Sequence, residues 1–150
     1  MKLVRLQRDL SQKFGWCREA LGRLEQEIET PNIKVGVSFL RLADYLKLEG
    51  AGEDQAAIVL YEQPAIVINS SSPWVASKVQ VQNTFLHEAG HLICHLGGIG
   101  SLIAFVAAHP NARKQAELWL RKFSDYPPRK KQEEFLCQSL AESFYPVWGP

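Results

Sequence analysis

Apolar residues recur at three- and four-residue steps over positions 1–30. Leu3, Leu10, Phe14, Cys17, Leu21, Leu24 and Ile28 form one stripe, with Arg, Lys and Glu filling most of the rest. That period predicts an amphipathic helix. Thr30-Pro31 ends it, because the residue before a proline avoids the helical region. Phe39, Leu42, Ala43 and Leu46 predict a second helix over 38–48, which Gly50-Ala51-Gly52 breaks. The character then changes. Ala57-Ile58-Val59-Leu60-Tyr61 and Ala65-Ile66-Val67-Ile68-Asn69 are rich in β-branched residues, with Glu62-Gln63-Pro64 between them. They predict a hairpin or two neighbouring strands, covered on both faces. Helical spacing returns over 79–96. There Val81, Thr84, Phe85, Leu86, Ala89, Leu92, Ile93 and Leu96 take up nearly the whole circumference before Gly97-Gly98. A helix apolar on most sides is a buried one. A short apolar piece follows at 101–108, then an amphipathic helix at 110–123 and a break at Tyr126-Pro127-Pro128. Arg129-Lys130-Lys131 reads as a basic surface turn. A last helix is expected over 132–144, with Leu136, Cys137, Leu140 and Phe144 inward and Pro146 closing it. The sum is an α+β chain, with a helical segment over 1–50 and a sheet-and-helix domain over 51–150.

Composition narrows the class. The chain has 150 residues, 46% of them hydrophobic, and a formal net charge of +1. That suits a globular domain burying about two-thirds of its unfolded surface. The charge gives no general reason to expect nucleic acid or a membrane surface as partner. The first fifteen positions carry charges and no apolar h-region, so no secretory signal is expected. The longest apolar run, 99–108, is too short to span a bilayer. Cys17, Cys94 and Cys137 are odd in number and form no C-x-x-C pair, which suits a reducing cytoplasm.

Chemistry concentrates in the buried helix. His87-Glu88-Ala89-Gly90-His91 reads H-E-x-x-H. Residues four apart share a helix face roughly 6 Å apart along the axis, so His87 and His91 can hold one Zn²⁺ between them, with Mn²⁺ as the alternative. Glu88, one step round, is placed to serve as general base. Buried unpaired imidazoles are costly, and a metal supplies their partner. His95 continues the series but sits about 12 Å along the axis from His87, too far for one metal to bridge. A third ligand must come from downstream, where Glu117, Asp125, Glu133, Glu134 and Glu142 are the carboxylates considered. Glu133 precedes Leu136 and Cys137 by three and four residues, in the middle of the expected inward face. Glu134 stands at its margin and Glu142 faces out. Glu133 is therefore preferred, with Glu134 as the alternative. Tyr61, His95 and His109 are candidates to stabilise an oxyanion. Cys94 and Cys137 lie near the expected ligands and read as small core side chains.

Two resemblances accompany these readings. Ser11-Gln12, Leu24-Glu25, Pro31 and Leu40-Arg41-Leu42-Ala43-Asp44-Tyr45-Leu46 resemble pieces of a phage-repressor-type helix-turn-helix, with spacing that departs from that family. Plain packing of two amphipathic helices explains them as well, and binding to nucleic acid is not expected. The second covers about the last hundred residues. The apolar strands ending in Val67-Ile68-Asn69, then Thr84 and His87-Glu88-Ala89-Gly90-His91-Leu92-Ile93-Cys94-His95, resemble the ImmA/IrrE family of zinc metallopeptidases. Members also carry a helix reading E-x-x-A-N-x-F-A, with a proline thirteen residues after the glutamate. Glu133 and Pro146 stand at those two positions here, and Leu136, Cys137, Ser139 and Leu140 replace Ala, Asn, Phe and Ala. The resemblance implies a zincin-like fold: a small twisted sheet, a metal helix and further packing helices. It also implies a two-His, one-Glu site, cytoplasmic action and cleavage of a specific repressor protein. In such peptidases an edge strand beside the metal helix commonly takes substrate backbone by strand addition. The competing expectation is a non-enzymatic regulator that keeps a structural metal and binds a repressor or DNA.

Overall fold

A computed structural model describes residues 1–6, 11–123 and 126–148. Leu10 and Asp125 lie outside the described residues. The protein is α+β, with one mixed four-stranded sheet and six α-helices among the described residues.

All four strands of the sheet lie in the first half of the chain. Its order is β1 (Lys2–Arg5), β2 (Lys34–Leu40), β4 (Ala65–Asn69) and β3 (Ala57–Leu60). β2 runs parallel to both β1 and β4, pairing Leu3 with Val35 and Val37 with Ile66. β3 and β4 form the antiparallel hairpin expected from their composition, with Val59 opposite Ile66. Every residue of β4 is buried, as its unbroken apolar run requires. β3 is an edge strand.

Two expectations from the first third are corrected. Residues 2–5 form a strand, and the helix α1 (Ser11–Glu25) is a separate element that ends before Thr30. Phe14, Cys17, Leu21 and Leu24 do form its buried stripe. Residues 34–40 form a strand where the start of a helix was expected, leaving only the four-residue α2 (Leu42–Tyr45). The reason is visible in the order Val35-Gly36-Val37-Ser38-Phe39. Apolar residues alternate there with period two, and all five side positions are buried between neighbouring strands. This β-α-β-α arrangement is not a helix-turn-helix.

The metal-motif helix α3 (Lys78–Leu96) starts on a complete capping box. The Ser77 hydroxyl accepts from the Gln80 N–H, while the Gln80 side chain accepts from the Ser77 N–H. It stops at Gly97 and Gly98, at φ 132° and 106°. At Gly98 a Cβ would stand 2.6 Å from the Glu29 carbonyl oxygen, so the stop is also where the chain passes beneath. Helices α4 (Ile99–Ala107), α5 (Pro110–Leu120) and α6 (Pro128–Phe144) follow. Lys130 and Lys131, expected in a turn, lie in the first turn of α6. One core joins α1, the sheet, α3, α4 and α6 through residues such as Leu24, Val37, Ile66, Phe85, Leu102 and Leu140. No helix among the described residues is long and apolar enough to cross a membrane.

Candidate metal centre

Two helices meet where α3 has no side chain. A Cβ on Gly90 would lie 3.0 Å from Cys137 Sγ and 3.1 Å from Cys137 Cα. Gly90 therefore lets the backbone of α6 come nearly into contact with α3. His87 and His91 flank that point on α3, and Glu134 lies one turn before Cys137 on α6. The close approach drives the Glu134 carboxylate between the two imidazoles. Oε2 stands 2.8 Å from His87 Nε2, and Oε1 stands 3.2 Å from His91 Nε2. All three residues are buried, and their ligating atoms lie within 4.8 Å of one another.

Glu133, preferred from the sequence, does not join this group. It is half-buried, with Oε2 3.2 Å from His91 Nδ1 and Oε1 against His95 Nε2. The helical phase had been set by apolar residues alone. In fact α6 packs against α3, α4 and α5 together, so a wide arc is buried. That arc includes polar Glu134, Gln138 and Glu142, the last of which was expected to face out. Glu117 is exposed. His109 bonds the Phe105 carbonyl oxygen and does not line the cleft described below; Tyr61 does line it. Cys17, Cys94 and Cys137 are free, and Cys137 is fully buried against Gly90 as a small packing residue.

The chain matches no protein-family model, no curated protein and no solved structure.

The donor set fits a cation. The Gln138 amide nitrogen donates to Asn83 Oδ1 at 3.3 Å and to Glu142 Oε1 at 3.4 Å. Its oxygen therefore faces His87 Nδ1, 2.8 Å away, and accepts the proton there. With Nδ1 protonated, neutral His87 presents a lone pair from Nε2 straight at the Glu134 carboxylate. Two acceptors 2.8 Å apart require a positive charge between them, either a proton or a metal ion. Metal-ligating histidines commonly hand their other N–H to an amide or carboxylate in this way. Gln138, missed in the sequence reading, fills that role for His87. Asn83 is anchored in turn by donating to the Tyr145 carbonyl oxygen at 2.8 Å. His91 Nδ1 makes no hydrogen bond, although Glu133 is close.

Electrostatics follow from this geometry. Burial works to raise the Glu134 pKa, but the charges and hydrogen bonds of His87 and His91 outweigh it and hold the carboxyl well below the usual range. Burial works to lower the His91 pKa, yet its hydrogen bond to Glu134 and the field of Glu88 push it up to about 9. Glu88 is pushed upward by burial, with His87 and His91 offsetting only part of that. Glu88 stands beside the pair in a cleft of about 470 Å³. The cleft is lined by α3, by Ala57, Ile58 and Val59 of β3, and by Trp119, Lys122, Tyr126, Lys130, Glu133 and Glu134. The Trp119 ring meets His87 edge-on at 5.2 Å between centroids.

Proposed function

We propose that the protein is a zinc-dependent endopeptidase of zincin type, acting on an extended segment of a specific cytoplasmic protein such as a transcriptional repressor. The observation that carries this reading is the Glu134 carboxylate reaching the Nε2 atoms of both motif histidines, in a cleft that Glu88 also lines. His87, His91 and Glu134 would hold the metal. Among the described residues no fourth His, Cys, Asp or Glu joins them, which suits a centre with an open position. A Zn²⁺ or Mn²⁺ ion bound there supplies a Lewis acid that polarises a carbonyl and brings a water towards ionisation near neutral pH.

The chain's own residues do the rest. Glu88 takes a proton from the attacking water and later delivers it to the departing amine. Burial raises its pKa above the ordinary carboxylate value, which makes it the stronger base. Gln138 fixes the His87 tautomer, and Glu133 sits beside the outer nitrogen of His91. The β3 edge, which among the described residues pairs only with β4, offers backbone groups to an extended peptide.

The likeness to the ImmA/IrrE pattern improves when it is read from Glu134. Cys137, Gln138, Leu140 and Ala141 then fall at Ala, Asn, Phe and Ala, while Pro146 falls one position short of the family's proline. In this reading the protein works in the reducing cytoplasm, where its three cysteines stay as thiols.

Wild type and Glu88→Gln should be loaded with Zn²⁺ or Mn²⁺ and incubated with a repressor encoded nearby and with casein. Glu88→Gln should keep its metal and lose at least ~100-fold in rate. Equal cleavage by both proteins would overturn the general-base role. Fast digestion of casein would overturn the narrow specificity. No cleavage by metal-loaded wild type would favour a non-enzymatic regulator.

A further inference from the structure

The cleft divides its charges unevenly. Of its acids, Glu134 faces His87 and His91, Glu133 faces His91 and His95, and Glu88 and Asp54 also line it. Its lysines are Lys122, in the 3-10 turn after α5, and Lys130, in the first turn of α6. Among the described residues neither has a carboxylate within ion-pair distance. Each rests on an aromatic face instead. Lys122 Nζ lies 4.2 Å from the Trp148 ring centroid, and Lys130 Nζ lies 4.3 Å from that of Tyr126.

The Trp148 ring is built in. Trp148 stacks on Trp74 at 4.8 Å between centroids. Its backbone N–H and that of Val147 donate to the Glu142 carboxylate at 2.8 and 2.7 Å. Trp119, one turn before Lys122, is the ring that meets His87. The lysine-bearing wall therefore starts beside a metal-ligand candidate. A cation held on a ring is positioned and still has N–H donors to offer an anion.

We propose that this wall is a carboxylate subsite: the cleft takes an extended peptide whose acidic side chain lies between Lys122 and Lys130. This deepens the peptidase reading and rests on it for the extended substrate, but the binding it describes needs no cleavage. A free chain end carries the same carboxylate chemistry, so the two sources are separated in the test.

Glu88→Gln protein is titrated, by tryptophan fluorescence, with N-acetylated peptides identical except for Glu, Ala or Lys at one position. All carry an amidated end, and a further Ala peptide carries a free one. The series is run in EDTA and again with Zn²⁺. The Glu peptide should bind about tenfold tighter than the Ala peptide in both, and the Lys peptide weakest. The preference should vanish in Lys122→Met/Lys130→Met, which keeps the apolar stems, and reverse in Lys122→Glu/Lys130→Glu. Unchanged thermal melting confirms that both variants fold; should the charge reversal not fold, the Met pair alone decides.

Equal affinity for Glu and Ala peptides, or no binding of the Glu peptide at millimolar concentration, overturns the subsite. So does a preference seen only with Zn²⁺, which would place the carboxylate on the metal. Tighter binding of the free-ended Ala peptide alone would overturn the side-chain assignment in favour of a chain end. Discrimination without any cleavage by metal-loaded wild type would sink the peptidase reading and leave the subsite standing. Cleavage of Glu and Ala peptides with equal kcat/KM would do the reverse.

Discussion

At the scale of single residues, the choice between Glu133 and Glu134 decides the chemistry of the centre. Glu134 is buried with an oxygen on each imidazole, and Glu133 is half-buried beside Nδ1 of His91. Glu134→Ala should therefore abolish stoichiometric zinc binding. Glu133→Ala should keep one zinc per chain with affinity weakened about 10- to 100-fold, the usual effect of losing a group behind a ligand. Elemental analysis together with competition against a chromophoric chelator checks both. Full zinc retention in Glu134→Ala would sink the assignment. The sequence showed His87, Glu88 and His91 plainly, because one helix carries all three at fixed spacing. It could not rank two adjacent acids on a different helix. One residue is about 100° of rotation, and the phase of α6 is set by three neighbouring helices that the sequence does not display. Gln138 was hidden for the same reason: a glutamine announces nothing until its partner is across from it.

At the scale of elements, the pair α3 and α6 depends on Gly90. Gly90→Ala leaves helix propensity better by up to ~1 kcal/mol, since alanine is the stronger helix former. Its methyl, however, would meet backbone as well as side chain at Cys137, with Cα 3.1 Å away. Overpacking of this kind typically costs about 1–3 kcal/mol. The clash should win, with a lower urea midpoint and zinc affinity reduced through displacement of Glu134. Unchanged stability together with unchanged zinc affinity would show that the helices part freely there. Elements were legible where one signal dominated. The hairpin β3–β4 had its β-branched runs, and α3 had its apolar circumference and glycine stop. β2 is hard to read although Val35, Val37 and Phe39 alternate, because Phe39, Leu42, Ala43 and Leu46 also satisfy a helical period. β1 was missed because Leu3 happened to extend the stripe of α1. Neither strand is stabilised locally; each exists through pairing with a partner distant in sequence.

At the scale of the whole molecule, the proposed metal centre would couple proton, metal and fold. β2 lies between β1 and β4, so the first forty residues complete the sheet on which the rest is built. At the centre, α3 and α6 are cross-linked by the acid–imidazole contacts of Glu134 and Glu133 and by the hydrogen bonds of Gln138 to His87 and Asn83. His91 ordinarily titrates at 6.5, and in the folded metal-free chain its pKa is about 9. Between those values the folded state binds more protons than the unfolded one. The stabilisation is thus fully present below pH 6.5 and lost as pH rises through 9. Glu134 is the same pair seen from the acid's side. Its pKa is held below 4.5, so the contribution is present above pH 4.5 and lost as pH falls. Glu88 and Glu142, both raised by burial, add separate losses that begin as pH rises above 4.5, so a control is needed to isolate the histidine. In EDTA the urea midpoint should fall from pH 6.5 to 9, and His91→Gln should flatten that part of the profile. Zinc should act in the opposite sense. Binding must displace the His91 proton as well as any proton held between His87 and Glu134, so apparent affinity should rise at least about tenfold per pH unit up to pH 9. Because metal binds the folded chain, saturating zinc should raise the midpoint most at the alkaline end, where the metal-free protein is weakest. A profile in EDTA that is flat from 6.5 to 9 would mean that His91 is not held charged by Glu134. A zinc affinity independent of pH over the same range would mean that no proton leaves the centre when the metal enters.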